Sequence, residues 1–257
     1  MAGTDGSTES DIGYRPEAPE DGVAWFLASM PSQYSEEHQG SEVRAHAEIV
    51  LRRGNALVHL ETCPGAVPSE ASAWLCVVTD DRPGLLSLLS AAIAAHSLDV
   101  LRAAVYTRSR PGLADEAVDL FSVRRLGSTT GTLASSELAP IERTMIALLR
   151  GELRVEQLER HAADTSRPSK RPETAIYFHP MEPDLLLVET PDHPGLLLEI
   201  TLTIFRERLS IIRSHITTLA GVAHDEFHLA EIDGSELSEA RRQAVIEKVR
   251  AAVGNKQ

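Results

Sequence analysis

Residues Thr79–Thr107, TDDRPGLLSLLSAAIAAHSLDVLRAAVYT, decide the fold, because the chain writes this stretch twice. Thr190–Thr218 reads TPDHPGLLLEITLTIFRERLSIIRSHITT and aligns with it without a gap, at an offset of 111 residues. Asp81/Asp192, Pro83/Pro194, Gly84/Gly195, Leu85/Leu196, Leu86/Leu197, Ile93/Ile204, Leu98/Leu209 and Arg102/Arg213 coincide. Downstream, the run Ala117 to Phe121 (AVDLF) faces Ala223 to Phe227 (AHDEF) at an offset of 106. The difference falls in SRPGLADE (109–116), a Pro-Gly turn of the kind that tolerates insertion. An internal repeat outranks any single motif in fixing an architecture.

Each copy reads as the same succession of elements. Trp74–Thr79 and Leu185–Thr190 are short apolar runs suited to buried strands. Asp-x-Pro-Gly then predicts a helix start, with the Asp side chain capping free N–H groups and Pro in the first turn. Leu86, Leu89 and Ile93 share one helical face, as do Leu197, Ile200 and Ile204. Strands follow at Val100–Thr107 and Ala117–Leu126, and at Ile211–Thr218 and Ala223–Ile232. A closing helix carries Ile141, Met145 and Leu148 in the first copy, opened by Pro140, and Val245, Val249 and Val253 in the second.

A ferredoxin-like βαββαβ unit needs a fourth strand after its last helix, and the sequence stops at Val253-Gly-Asn-Lys-Gln. Strand-like segments instead precede each copy, at Ala56–Thr62 and Thr174–His179. A hairpin partner upstream of the first strand fills the same antiparallel slot. The expected fold class is therefore α+β: two permuted β-βαββα modules, with antiparallel sheets and helices on one face. Residues 1–20 are polar with little to bury and read as a disordered tail. Residues 21–54 read as a helical lead-in, 55–160 as the first module, 161–172 (with SRPSKRP) as a linker and 173–257 as the second module.

Composition narrows function. A net charge of −13 repels nucleic-acid backbones and anionic lipid, and an aromatic content of 4% offers little base-stacking surface. No apolar stretch is long enough to span a bilayer, and the N-terminus lacks a secretory pattern. A cytoplasmic protein with reduced, buried Cys63 and Cys76 is expected. The P-loop, Gly-x-Ser-x-Gly, Gly-x-Gly-x-x-Gly and Cys-x-x-Cys motifs are missing. His224 and His228 lie four apart on a predicted strand, about 13 Å, so a shared metal ion is not expected.

The duplicated Asp-x-Pro-Gly-Leu-Leu between strand and helix, with Asp-x-Phe downstream, resembles the ACT domain. The pair, together with the WFLASMPSQY (25–34) lead-in, is similar to the C-terminal region of the PII uridylyltransferase/uridylyl-removing family. The resemblance covers roughly residues 22–257. It does not extend to that family's chemistry: no Gly-Ser with Asp-x-Asp and no set of separated His, His-Asp and Asp ligands is found. It implies a non-catalytic regulatory protein that needs no cofactor or metal.

The same resemblance implies that an amino acid such as glutamine binds at Asp81, Arg82, Pro83, Gly84, Leu85 and Leu86 and at Asp192, His193, Pro194, Gly195, Leu196 and Leu197. Helix N-termini would hold the ligand carboxylate and the aspartates its ammonium. The same loops also read simply as a tight turn and a helix cap. The Arg82/His193 difference makes the two loops unlike. Arg102 and Arg213 are expected to pair with Asp119 and Asp225, the alternative being contact with a ligand carboxylate. A PII or uridylyltransferase-like partner in nitrogen signalling, and a homodimer through module pairing, complete the expectation. An interaction module without ligand binding is the rival reading; uridylyltransferase activity would be inherited in name only.

Overall fold

The structure is a computed structural model describing residues 22–65, 72–128, 133–162 and 173–254. The predicted tail, residues 1–20, and the SRPSKRP linker lie outside the described residues. Three short helices come first: α1 (Gly22–Ser29), α2 (Ser32–Glu37) and α3 (Ser41–Arg53). Then follow β1 (Val58–Thr62), β2 (Ala73–Asp80), α4 (Leu85–Ala95), β3 (Leu98–Arg108), β4 (Glu116–Arg125), α5 (Ser135–Leu149) and α6 (Val155–Ala162). The second half runs β5 (Ala175–Phe178), β6 (Leu185–Pro191), α7 (Leu196–Arg206), β7 (Leu209–Leu219), β8 (Val222–Glu231) and α8 (Glu239–Gly254).

All eight strands form one antiparallel sheet in the order β1-β2-β4-β3-β7-β8-β6-β5. The expectation of separate sheets is corrected here. β3 and β7 pair antiparallel over Arg102↔Thr217 to Val105↔Ser214, so the two halves share their backbone hydrogen bonding. Both strands carry a register irregularity at equivalent places, between Val100 and Arg102 and between Ile211 and Arg213.

Helices α4, α5, α7 and α8 cover one face, where Leu75, Val77, Phe121, Leu186, Val188 and Phe227 meet Leu89, Met145, Ile200 and Val249. Successive strand residues point to opposite faces. The neighbours Cys76, Val78, Val118 and Leu120 therefore point the other way, and there they pack against Phe26, Tyr34, Ala47 and Val50 of α1–α3. Helices thus cover both faces of the first half, not one. Fully burying Phe26 and Ile49 contributes about 1.5–3 kcal/mol each before entropy is counted.

A buried charge cluster ties the lead-in to the sheet. Glu116, 2% exposed, accepts from Arg53, from Arg108 at 2.5 Å and from Arg110 at 3.1 Å. Arg53 also reaches Asp80 at 2.7 Å, and Arg108 stacks 4.4 Å over the Trp25 ring. Nearby, Tyr106 donates to Glu37 at 2.5 Å and contacts His38 at 3.1 Å, while Tyr34 contacts His46 at 2.7 Å.

Two local expectations are overturned. Pro140 does not open the closing helix: α5 starts at Ser135 and carries Pro140 inside it. Glu137 accepts the Ala134 backbone N–H at 2.8 Å, so the first turn is fixed ahead of the proline. Asp81 and Asp192 do not cap α4 and α7 either. Gly84 (φ 79°) and Gly195 (φ 84°) stand at the N-cap in the left-handed region, with no side-chain cap. Helix α6, polar in sequence, adds an element beyond the expected module.

Candidate functional site

Each Asp-x-Pro-Gly loop joins a strand end to a helix start, and the shared sheet brings it against the other half. The Asp81 N–H donates to the Asp115 carbonyl at 2.9 Å, and the Asp81 carboxylate accepts from the Thr107 hydroxyl at 2.7 Å. The equivalent Asp192 N–H donates to the Gly221 carbonyl at 2.9 Å. Both loops are thereby held against the turn that ends the neighbouring hairpin.

Beneath the first loop lies a cavity of about 420 Å³. All six residues Asp81 to Leu86 line it, with Asp119 as its floor. Thr201, Phe205, Ser210 and Ile211 of the second half close the far wall. The second loop mirrors this arrangement: Asp192, His193, Gly195, Leu196, Leu197 and Asp225 face Ser90, Ala94, Asp99 and Val100 of the first half. Its free volume is only about 20 Å³, room for a water molecule or so. Pro194 is not on its wall.

The sequence explains the inequality. At the 111-residue offset, Leu198 replaces Ser87 on the loop's helix, and Asp99 replaces Ser210 on the opposing strand. Both are buried, Leu198 at 4% and Asp99 at 2% exposure, and they fill the space that two serines leave open. Phe205, in the place of Ala94, lies at the rim of the larger cavity. A Cβ on Gly84 would come within 2.5 Å of its ring, so only glycine fits there.

Asp119 and Asp225 sit on the helix-covered face at 1% and 2% exposure. Burial pushes both carboxyls well above the usual range, and the neighbouring Asp81 and Asp192 charges push the same way, against a weak opposing pull from the backbone at Tyr106 and Thr217. Both oxygens of Asp119 lack a hydrogen-bond partner among the described residues. The expected pairing with Arg102 and Arg213 is not formed. Arg102 stands in register with Ser122 and Arg213 with His228, on the opposite sheet face. The register irregularity beside each arginine is what turns it away.

Arg82 and His193 are turned to local contacts. Arg82 donates to the Leu149 carbonyl at 2.9 Å, and His193 lies 3.2 Å from the Pro194 carbonyl and 3.6 Å from Glu199. The first-turn N–H groups of Leu85 and Ser87 are taken by the Arg82 and Gly84 carbonyls. Among the described residues, no backbone carbonyl takes the Gly84 or Leu86 N–H, and an unpaired N–H at a helix start suits an anion. The residues lining the cavity thus include carboxyl groups suited to a cation and a helix start suited to an anion.

The relatives with matching sequence are bifunctional uridylyltransferase/uridylyl-removing enzymes. The protein from Phenylobacterium zucineum is 30% identical over 225 residues, covering 84% of this chain and 23% of the enzyme. Those from Bradyrhizobium sp. (strain ORS 278) and Rhodopseudomonas palustris are 25% and 28% identical, over 89% and 79% of this chain. The chain spans about a quarter of the length of these curated relatives. No model of a known protein family matches it.

Among the described residues, no group of three or more His, Cys, Asp and Glu is placed to hold a metal ion. His224 and Asp225 are consecutive on β8 and point to opposite faces, so this His-Asp pair cannot share an ion. The Cys63 thiol is pushed up to about 12 by burial, and Cys76 well above its ordinary value, which works against a reactive thiolate. Among the described residues, no helix is long and apolar enough to cross a membrane.

Proposed function

We propose that the chain is a non-catalytic regulatory protein made of two ACT-type modules, residues 55–160 and 173–257, that senses a free amino acid. The observation that supports this reading is the cavity of about 420 Å³ under Asp81–Leu86, built from both halves and floored by the unpartnered carboxyl of Asp119. An α-amino acid matches its chemistry: carboxylate to the Gly84 and Leu86 amides, ammonium to Asp81, with the Asp119 carboxyl accepting a hydrogen bond through its carbonyl oxygen. Glutamine is the first candidate, from the resemblance to a nitrogen-signalling enzyme, and the downstream partner is a PII or uridylyltransferase-like protein.

Because the ligand touches both halves, it favours whichever arrangement of the halves it fits better, by its differential affinity. One site per chain is expected, since the Asp192 site is filled by Leu198 and Asp99. Calorimetry and thermal shift against the twenty amino acids provide the test. A saturable one-to-one response supports the reading, and the absence of any response at roughly 10 mM, a binding energy of under 3 kcal/mol, sinks it.

A further inference from the structure

A second cavity, of about 620 Å³, opens beside the first where β3 and β7 part beyond the Val105↔Ser214 pair. Val105, Thr107 and Ile212 line both cavities. Ile212 sits at the register irregularity of β7, is 55% exposed and divides the two spaces.

The second cavity carries an oriented guanidinium. Arg213 Nη2 lies 2.6 Å from His228 Nε2, and His228 Nδ1 lies 2.8 Å from an Asp184 carboxylate oxygen. A guanidinium only donates, so His228 Nε2 must accept, and Nδ1–H then donates to Asp184. The two contacts together fix the orientation of the imidazole ring. This contact uses one of the five N–H donors of Arg213. Among the described residues, no carboxylate stands within ion-pairing distance of it. The first half has no such chain: Ser122 and Ala73 stand where His228 and Asp184 stand in the second. Pro31, Val105, Ile212 and Leu237 form apolar parts of the remaining wall, and Glu236 and Arg242 add one charge of each sign.

We propose that this cavity binds a small organic oxyanion, a carboxylate or phosphate on an apolar body, gripped by the fork of Arg213. Guanidinium groups pair with both through parallel N–H bonds. Through the shared wall at Val105, Thr107 and Ile212, its occupancy also biases the Asp81–Leu86 loop. The proposal stands apart from amino-acid sensing, because neither Arg213 nor His228 lines the first cavity.

The full chain is titrated by calorimetry, with no amino acid present, against glutarate, magnesium-free ATP and inorganic phosphate. Saturable binding of glutarate alone identifies a carboxylate ligand; binding of ATP or phosphate identifies a phosphate. Arg213→Gln should weaken that binding at least about tenfold, with Arg213→Lys falling between. Circular dichroism and melting of both variants confirm folding. No saturable heat from any probe at roughly 10 mM, or binding that survives Arg213→Gln in a folded protein, overturns the site. Slower amide exchange in Asp81–Leu86 with the anion bound is expected; unchanged exchange there overturns the coupling.

Discussion

Strands β4 and β8 occupy equivalent positions in the two halves, yet they are buried differently. In β4, eight successive residues from Glu116 to Val123 are buried; in β8, buried and more exposed residues alternate. The outward positions account for this. Val78, Ala104, Val118 and Leu120 of the first half correspond to Glu189, His215, His224 and Glu226 of the second. A strand covered on both faces reads as a continuous apolar run, and one with a wet face alternates. The lead-in helices therefore have a surface to bind on one half and none on the other. The same frame carries an open cavity in one half and a filled one in the other, through the exchange of Ser87 and Ser210 for Leu198 and Asp99.

The largest expected effect tests the covered half. Glu116→Ala leaves buried Arg108 without its carboxylate and Arg53 with Asp80 alone, and should cost about 3–5 kcal/mol in denaturant unfolding. Its counterpart in the second half is Val222, which has no such role, and a loss under about 1 kcal/mol for Glu116→Ala would break the contrast.

Gly84→Val against Gly195→Val comes next. Both put a β-branched residue at positive φ, costing about 1–2 kcal/mol or more. Gly84→Val also drives a side chain into Phe205 at the rim of the open cavity, and it should weaken amino-acid binding at least about tenfold in calorimetry. Equal loss from both variants would mean that both sites bind.

Asp119→Asn tests the floor of the cavity. A carboxyl raised in the folded state binds more protons there than in the unfolded chain, so its contribution is full below the ordinary carboxylate range and is lost as pH rises toward the folded value. Asp119→Asn should therefore be more stable than the parent at neutral pH, and its stability should fall less as pH rises above about 4. A variant with the parent's slope would show that Asp119 is not buried as a neutral acid.

The smallest effect concerns Ser97 and Arg208, equivalent residues at φ 56° and 60° in the turns after α4 and α7. Replacing either with Gly should stabilise by about 1 kcal/mol, measured by melting, because glycine adopts that backbone freely. Similar gains at both would show that the two frames carry the same strain despite their different contents.

Much of the frame was legible in the sequence because the signal was written twice. The strand, loop and helix from Trp74 to Ile93 and their copy announce themselves by apolar spacing and a shared Pro-Gly. Other features had weaker signals. The double burial of the first half is written in the apolar run VDLFSV, where the copy has HDEFHL with polar residues at the outward positions. Pro140 looked like a helix start because proline favours that position, while the actual first turn rests on a Glu137 contact to the backbone. The pairing of Arg102 and Arg213 with aspartates failed because one register irregularity reverses a side chain's face, and nothing in the residue pattern marks it. The six residues of the first loop do share a cavity wall. Its depth came from serines at positions 87 and 210, which look unremarkable until the copies are superposed.

The joining of β3 to β7 also bears on how the chain behaves among its own copies. These strands have eleven residues each, and a half standing alone would expose one of them as a long unpaired edge, open to any other chain. Joined, they leave only β1 and β5 at the rims, five and four residues long. The β1 rim is further blunted where Glu142 takes the Leu60 N–H at 3.2 Å. A chain cut between its halves would present two adhesive margins, and each fragment is expected to self-associate.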